Sequence, residues 1–135
     1  MSEPSPHLLS VRVYYEDTDF SGAVYHANYL RFMERGRTEY LRQAGIHQHE
    51  VFAGQHGEAF GFVVHRMNIE FRRPARMDDL LTIETTAREI RGAAIDLFQR
   101  VLRGDDVLAT ADVRVACVIN GRAARLPASV RERLA

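Results

Sequence analysis

Residues 14–42 read YYEDTDFSGAVYHANYLRFMERGRTEYLR, and this stretch decides the fold. It holds the end of a strand, an acidic turn closed by Gly22, and the start of a long helix. A carboxylate on such a turn sits just outside the positive end of the helix. The first N–H groups of that helix have no partner within it and favour negative charge. A carboxylate that attacks or activates, beside N–H donors for a developing oxyanion, is what acyl transfer needs.

Upstream, residues 10–16 alternate, with Val11, Val13 and Tyr15 on one face and Arg12, Tyr14 and Glu16 on the other. That period predicts a half-buried strand. Residues 1–9, with Pro4 and Pro6, read as a loose, flexible N-terminal tail. From His26 to Ala44 the period turns helical, and Ala27, Leu30, Met33, Tyr40, Leu41 and Ala44 share a predicted inner face. Gly36 in mid-helix costs about 1 kcal/mol against Ala, and a close contact with a strand would account for it. Gly45 is the expected C-cap. Residues 45–60 predict a loop with a short helix around 48–53; its histidines lack zinc spacing.

Strands follow. Val63, His65, Met67, Ile69 and Phe71 alternate with polar neighbours until Pro74 ends the run. Further strands are predicted over 80–90 and 94–103, with tight turns at Gly92 and at Gly104-Asp105-Asp106. The last strand has apolar residues at every odd position from Val107 to Ile119. Asn120-Gly121 turns out of it, and residues 127–134 predict a short helix. One long helix against hairpin-linked strands is an α+β layer on an antiparallel sheet.

At 135 residues the chain is the length of one domain and can bury a real core. Its 18 basic and 18 acidic residues balance, which argues against a general nucleic-acid binder. All the basic residues are Arg, whose forked donors suit phosphate. The lone Cys117 excludes an intrachain disulfide, suits a reducing compartment, and sits in an alternating strand as a small apolar residue. No apolar run approaches a membrane span, and MSEPSPHLLS has neither the basic flank nor the apolar region of a signal peptide. A cytoplasmic protein is expected.

The wording of residues 14–42 resembles the hotdog-fold acyl-CoA thioesterases, specifically the Tol-Pal-associated family related to 4-hydroxybenzoyl-CoA thioesterase. The shared pattern is an aromatic strand end, Asp-Thr-Asp, a glycine, Val-Tyr-His and a small-Asn-Tyr step. FVVHRMNIEFRRPARMDDLLTIET and EIRGAA also fit, so the likeness spans residues 10–127. It implies a five-stranded antiparallel sheet wrapped around one long central helix, and a homodimer or homotetramer with active sites between subunits. It implies hydrolysis of acyl-CoA to a free acid and CoA, with no metal or cofactor.

By this resemblance Asp19 is the catalytic carboxylate. A free Asp ionises near pH 3.9 and is charged at neutral pH; it acts as nucleophile or as general base. The competing role for Asp19 is a turn or helix cap. His26, at the helix start, is the expected partner that polarises the carbonyl, with its own N–H. Tyr15 matches an active-site tyrosine, although strand-end tyrosines more often pack in a core. Asp17 is expected to bond turn N–H groups. Gly22 gives the turn its freedom and a close approach to substrate, and Tyr25 and Asn28 are candidate pocket walls. Arg91, before Gly92, matches a basic position for CoA phosphate, and Arg72, Arg73 and Arg76 flank Pro74. The rival readings are a hotdog enoyl-thioester hydro-lyase, and a non-hydrolytic binding module for acyl-CoA or acyl carrier protein in a cell-envelope or lipid-synthesis complex.

Overall fold

The computed structural model describes residues 5–134. Strand β1 (His7–Arg12) is followed by a single 3-10 turn (Tyr15–Asp17), helix α1 (His26–Gln43) and the short α2 (Gln48–Phe52). Then come β2 (Gly61–Phe71), β3 (Leu80–Ile90), β4 (Ala94–Arg103), β5 (Asp106–Ile119), the two-residue β6 (Arg122–Ala123) and α3 (Ala128–Leu134). The long strands form an antiparallel sheet in the order β1-β3-β4-β5-β2, with β6 added beside β5. The expected five strands are all present, and β6 makes six. Helix α1 lies on the face made by β1, β3 and β4. This is the hotdog arrangement that the resemblance implies.

The core sits between that helix and the sheet. Leu81 and Ile83 of β3, Ile95, Leu97 and Val101 of β4, and Ala109 to Cys117 at odd positions of β5 are buried in one core with Phe32 and Met33 of α1. Gly36 is the point of closest approach. A Cβ there would stand 2.6 Å from Ile83 Cγ2 and 3.2 Å from both Gln99 Nε2 and Thr85 Oγ1. Beneath it the buried Gln99 amide donates to the Met33 carbonyl at 2.9 Å and to Thr85 Oγ1 at 2.9 Å. Arg37 Nη1 donates to Gln99 Oε1 at 3.0 Å, so both ends of the amide are satisfied.

Four expectations need correction. The first strand starts at His7, so residues 7–9 of the expected tail are paired to β3; residues 1–4 of that tail lie outside the described residues. The strand ends at Arg12 rather than Glu16. Asp17 accepts the Tyr14 N–H on its carboxylate at 2.8 Å and draws the chain into the 3-10 turn, which leaves Tyr15 80% exposed instead of facing inward. On α1 the buried row is Tyr29, Phe32, Met33, Gly36 and Leu41, and Leu30 is 43% exposed; the contact at Gly36 fixes which row meets the sheet. In β2 the pairing shifts between Val64 and Arg66. That bulge reverses the alternation, so Phe62 packs on the core before it and Met67 and Ile69 after it, while His65 is exposed.

Candidate active site

The Asp-Thr-Asp turn is built by hydrogen bonds from its own ends. Asp17 is buried, and its two carboxylate oxygens accept the Tyr14 N–H and the Asn28 side-chain amide, each at 2.8 Å. Its carbonyl accepts the Tyr25 N–H at 3.0 Å. Asp17 therefore ties the strand end to the first turn of α1, as a structural clasp. Asn28 is committed to this clasp and is buried behind the surface rather than walling a cavity. Replacing Asn28 by Ala leaves a buried carboxylate oxygen unpaired. It should cost about 1–3 kcal/mol, read as a lower urea midpoint with an unchanged slope.

Asp19 is one residue past Thr18 and points outward. Its Oδ1 accepts the Ser21 N–H at 2.8 Å and the Ser21 hydroxyl at 2.6 Å. The Ser21 hydroxyl, then the Ser21 N–H, hold the carboxyl below the usual carboxylate range; desolvation opposes them, and the Ala23 backbone and the charge of His26 add smaller pulls downward. The turn closes with the Asp19 N–H donating to the Ala23 carbonyl at 2.9 Å and the Gly22 N–H to the Asp19 carbonyl at 3.1 Å. Gly22 has φ +81°, in the region that favours glycine.

His26 opens α1, exposed, with its ring edge-on to Phe71 at 4.9 Å between centroids. Among the described residues, the His26 and Ala27 N–H groups donate to no backbone acceptor. They are the donors that a helix start leaves free. Asp19 and His26 line one cavity of about 290 Å³ with Tyr29, Phe71, Arg72, Arg73 and Pro74. Tyr29 accepts the N–H of the buried Ala75 at 2.8 Å, and burial pushes its phenol up, so it stays neutral. Tyr29, Phe71 and Ser21 escaped the sequence reading. Ser21 was visible as a hydroxyl between the Asp and the Gly. Tyr29 is part of the small-Asn-Tyr step, and Phe71 is the last residue of its strand.

Three expected site residues lie apart from this cavity. Tyr15 stands in solvent on the 3-10 turn, its carbonyl accepting the Thr18 hydroxyl at 2.7 Å. Tyr25 is the exposed residue before α1, adjacent to His26. Arg91 follows the far end of β3. The near end of that strand meets the Gly22 turn through Met77, whose N–H donates to the Gly22 carbonyl at 3.3 Å. Ten strand steps of β3, about 33 Å of chain at full extension, separate that end from Arg91. There its guanidinium bonds Asp96 at 2.7 Å and Glu89 at 3.0 Å, in a recess of about 460 Å³ with Arg66, Arg88 and Arg114.

A larger cavity, about 540 Å³, is at the other end of α1 and contains His47, Glu50, His56, Arg125 and Arg133. His56 is bonded to Glu50 at 2.8 Å. Among the described residues no cluster of three potential ligands could hold a metal ion, and no helix is long and apolar enough to cross a membrane. The smaller cavity, with its exposed carboxylate and free N–H donors, has the parts that acyl transfer uses.

The sequence profile of the thioesterase-like superfamily matches residues 13–134. The chain belongs to this superfamily. An acyl-CoA thioesterase YbgC of Haemophilus influenzae is 47% identical over 112 residues, covering 83% of this chain and 80% of that protein. An acyl-CoA thioester hydrolase YbgC of Escherichia coli O6:H1 is 45% identical over 109 residues, covering 80% and 78%. The crystal structure of a probable thioesterase from Bartonella henselae superposes with a TM-score of 0.88 at 46% identity, covering 91% of this chain and all of that one. The profile match runs through both the Asp-Thr-Asp turn and the sheet, and the superposition covers nearly the whole chain, so this thioesterase-like chain shares its superfamily's fold as well as its wording.

Proposed function

We propose that this protein is an acyl-CoA thioester hydrolase that releases a free acid and CoA. The observation that carries the reading is the shared cavity of Asp19 and His26 at the start of α1. The names of the YbgC relatives, at 45–47% identity, support the substrate class. Asp19, ionised at neutral pH, attacks the thioester carbonyl or takes a proton from a water that does so. The carbonyl oxygen gathers negative charge at the free His26 and Ala27 N–H groups and beside the His26 ring. The C–S bond then breaks and CoA leaves as its thiolate, which takes up a proton; on the nucleophilic route a water then hydrolyses the acyl anhydride formed on Asp19, and on either route the free acid departs with the carboxylate restored. Gly22 lets the turn pass close to the substrate, and Tyr25 flanks the entrance. Tyr15, exposed on the preceding turn, contacts bound substrate from the outside.

The site is completed by a second copy of the chain, as a homodimer or a tetramer. Strand β2 ends the sheet order, so eleven residues present an unpaired edge, with Val63 and Val64 exposed along it. A second copy is also what would bring an Arg91 toward the CoA phosphates, since its own lies at the far end of β3. Arg72 and Arg73, at the cavity itself, supply nearer cations. The same chemistry would act on an acyl group carried by acyl carrier protein. A reducing cytoplasm suits the buried free Cys117 and a CoA substrate, which supports that location.

Free-thiol release from acetyl-, hexanoyl- and palmitoyl-CoA tests the reading. Turnover with a clear maximum of kcat/KM along the series is expected. Acyl-CoA binding with no thiol released from any of them would replace the hydrolase with a binding module.

A further inference from the structure

Resting on the reading of Asp19 as the reacting carboxylate, we infer that Ser21 is a positioning residue that occupies Oδ1 of Asp19 from two sides and so leaves Oδ2 as the oxygen that meets substrate or water. The geometry is specific. The Ser21 N–H reaches Oδ1 at 2.8 Å and its hydroxyl reaches the same oxygen at 2.6 Å, the length of a charge-assisted O–H···O bond. Among the described residues, nothing donates to Oδ2. A carboxylate with neither oxygen held would turn about its last torsion, a broad and soft one. With Oδ1 pinned, the free oxygen keeps one direction.

The surroundings make this hold matter. Asp19 is exposed and has no buried packing to fix it. The charged and titratable groups sharing its cavity are His26 and Tyr29 from α1 and Arg72 and Arg73 after β2. Of these, Arg72 is paired with Glu70 at 3.1 Å and Arg73 with Asp106 at 3.2 Å. Asp17 is turned inward to Tyr14 and Asn28. Ser21 is thus the residue whose side chain holds the Asp19 carboxylate. Its removal has a pH signature, because the Ser21 hydroxyl is the foremost cause of the lowered Asp19 pKa. Activity requires the ionised form, so without the hydroxyl the acid limb of the rate profile moves to higher pH.

The experiment compares the full-length parent with Ser21→Ala, Ser21→Thr and Asp19→Asn, reading thiol release from hexanoyl-CoA across pH. Ser21→Ala should lose roughly 10- to 100-fold in kcat, with KM within about twofold of the parent and its acid limb at higher pH. Ser21→Thr keeps the hydroxyl on an exposed turn and should restore both. If Ser21→Ala keeps the parental kcat and acid limb while Asp19→Asn is inactive, Ser21 merely closes the turn and the inference is overturned. If Ser21→Ala falls as far as Asp19→Asn and the parent carries a trapped acyl group on Ser21, the serine is a nucleophile and positioning is again overturned. If Asp19→Asn is fully active, the reading of Asp19 fails and this inference with it.

Discussion

Asp19→Asn is expected to lower kcat for thiol release by at least about 100-fold, in line with removing a nucleophile or base. The substitution isolates charge. An Asn side chain has the same size, and its carbonyl oxygen can still accept the Ser21 N–H and hydroxyl that reach Oδ1 at 2.8 and 2.6 Å. Asp19 is exposed, so no core contact is disturbed. The urea midpoint should therefore match that of the parent while turnover is lost. Substrate binding should survive, because His26, Arg72 and Arg73 are untouched. A variant that kept full turnover would make Asp19 a turn residue and move the chemistry elsewhere.

The second large effect is on stability. Gly36→Leu should destabilise the fold by about 3 kcal/mol, near the upper end for overpacking a core, and lower the urea midpoint accordingly. The first atom added at Gly36 would already meet Ile83 Cγ2 at 2.6 Å. Ile83 is a β-branched side chain, stiff at its first torsion and fully buried in β3, so it cannot swing away. The other neighbours are the Gln99 amide and the Thr85 hydroxyl, both held in the buried network under the helix. Lifting α1 to make room would break the bond from Gln99 to the Met33 carbonyl, 2.9 Å long. The gain in helix propensity, about 1 kcal/mol relative to Gly, is too small to offset this.

The parts of the fold that could be read from the sequence are those whose period is long and unbroken. The odd-position apolar row from Val107 to Ile119 became β5, and the turns at Gly92, Gly104 and Asn120-Gly121 fell where expected. The single helix and the hairpin-linked strands gave the layer arrangement. The errors arose where one contact overrode a period. Asp17 captured the Tyr14 N–H and turned Tyr15 into solvent. A bulge at His65 exchanged the faces of β2. Close packing at Gly36 chose Tyr29 over Leu30 for the inner row. None of these contacts is a pattern that recurs along the chain, so periodicity could not anticipate them.

The site divided in the same way. Asp19, Gly22 and His26 lie within eight consecutive residues, and the turn and helix start could not place them far apart. Arg91 was singled out because, just before Gly92, it matches a basic position of the related thioesterases. Its distance from Asp19 depends on the strand that separates them, which a motif does not encode. Asn28 looked like a pocket wall because it sits at the helix start. Its partner proved to be the other aspartate of the turn, reached at 2.8 Å across eleven residues.

The most direct test of the account is free-thiol release from hexanoyl-CoA at neutral pH by the purified parent, with Asp19→Asn run beside it. Turnover by the parent and its near-complete loss in a variant of equal stability is the predicted result. A parent that binds the acyl-CoA and releases no thiol, or a variant as fast as the parent, would contradict it.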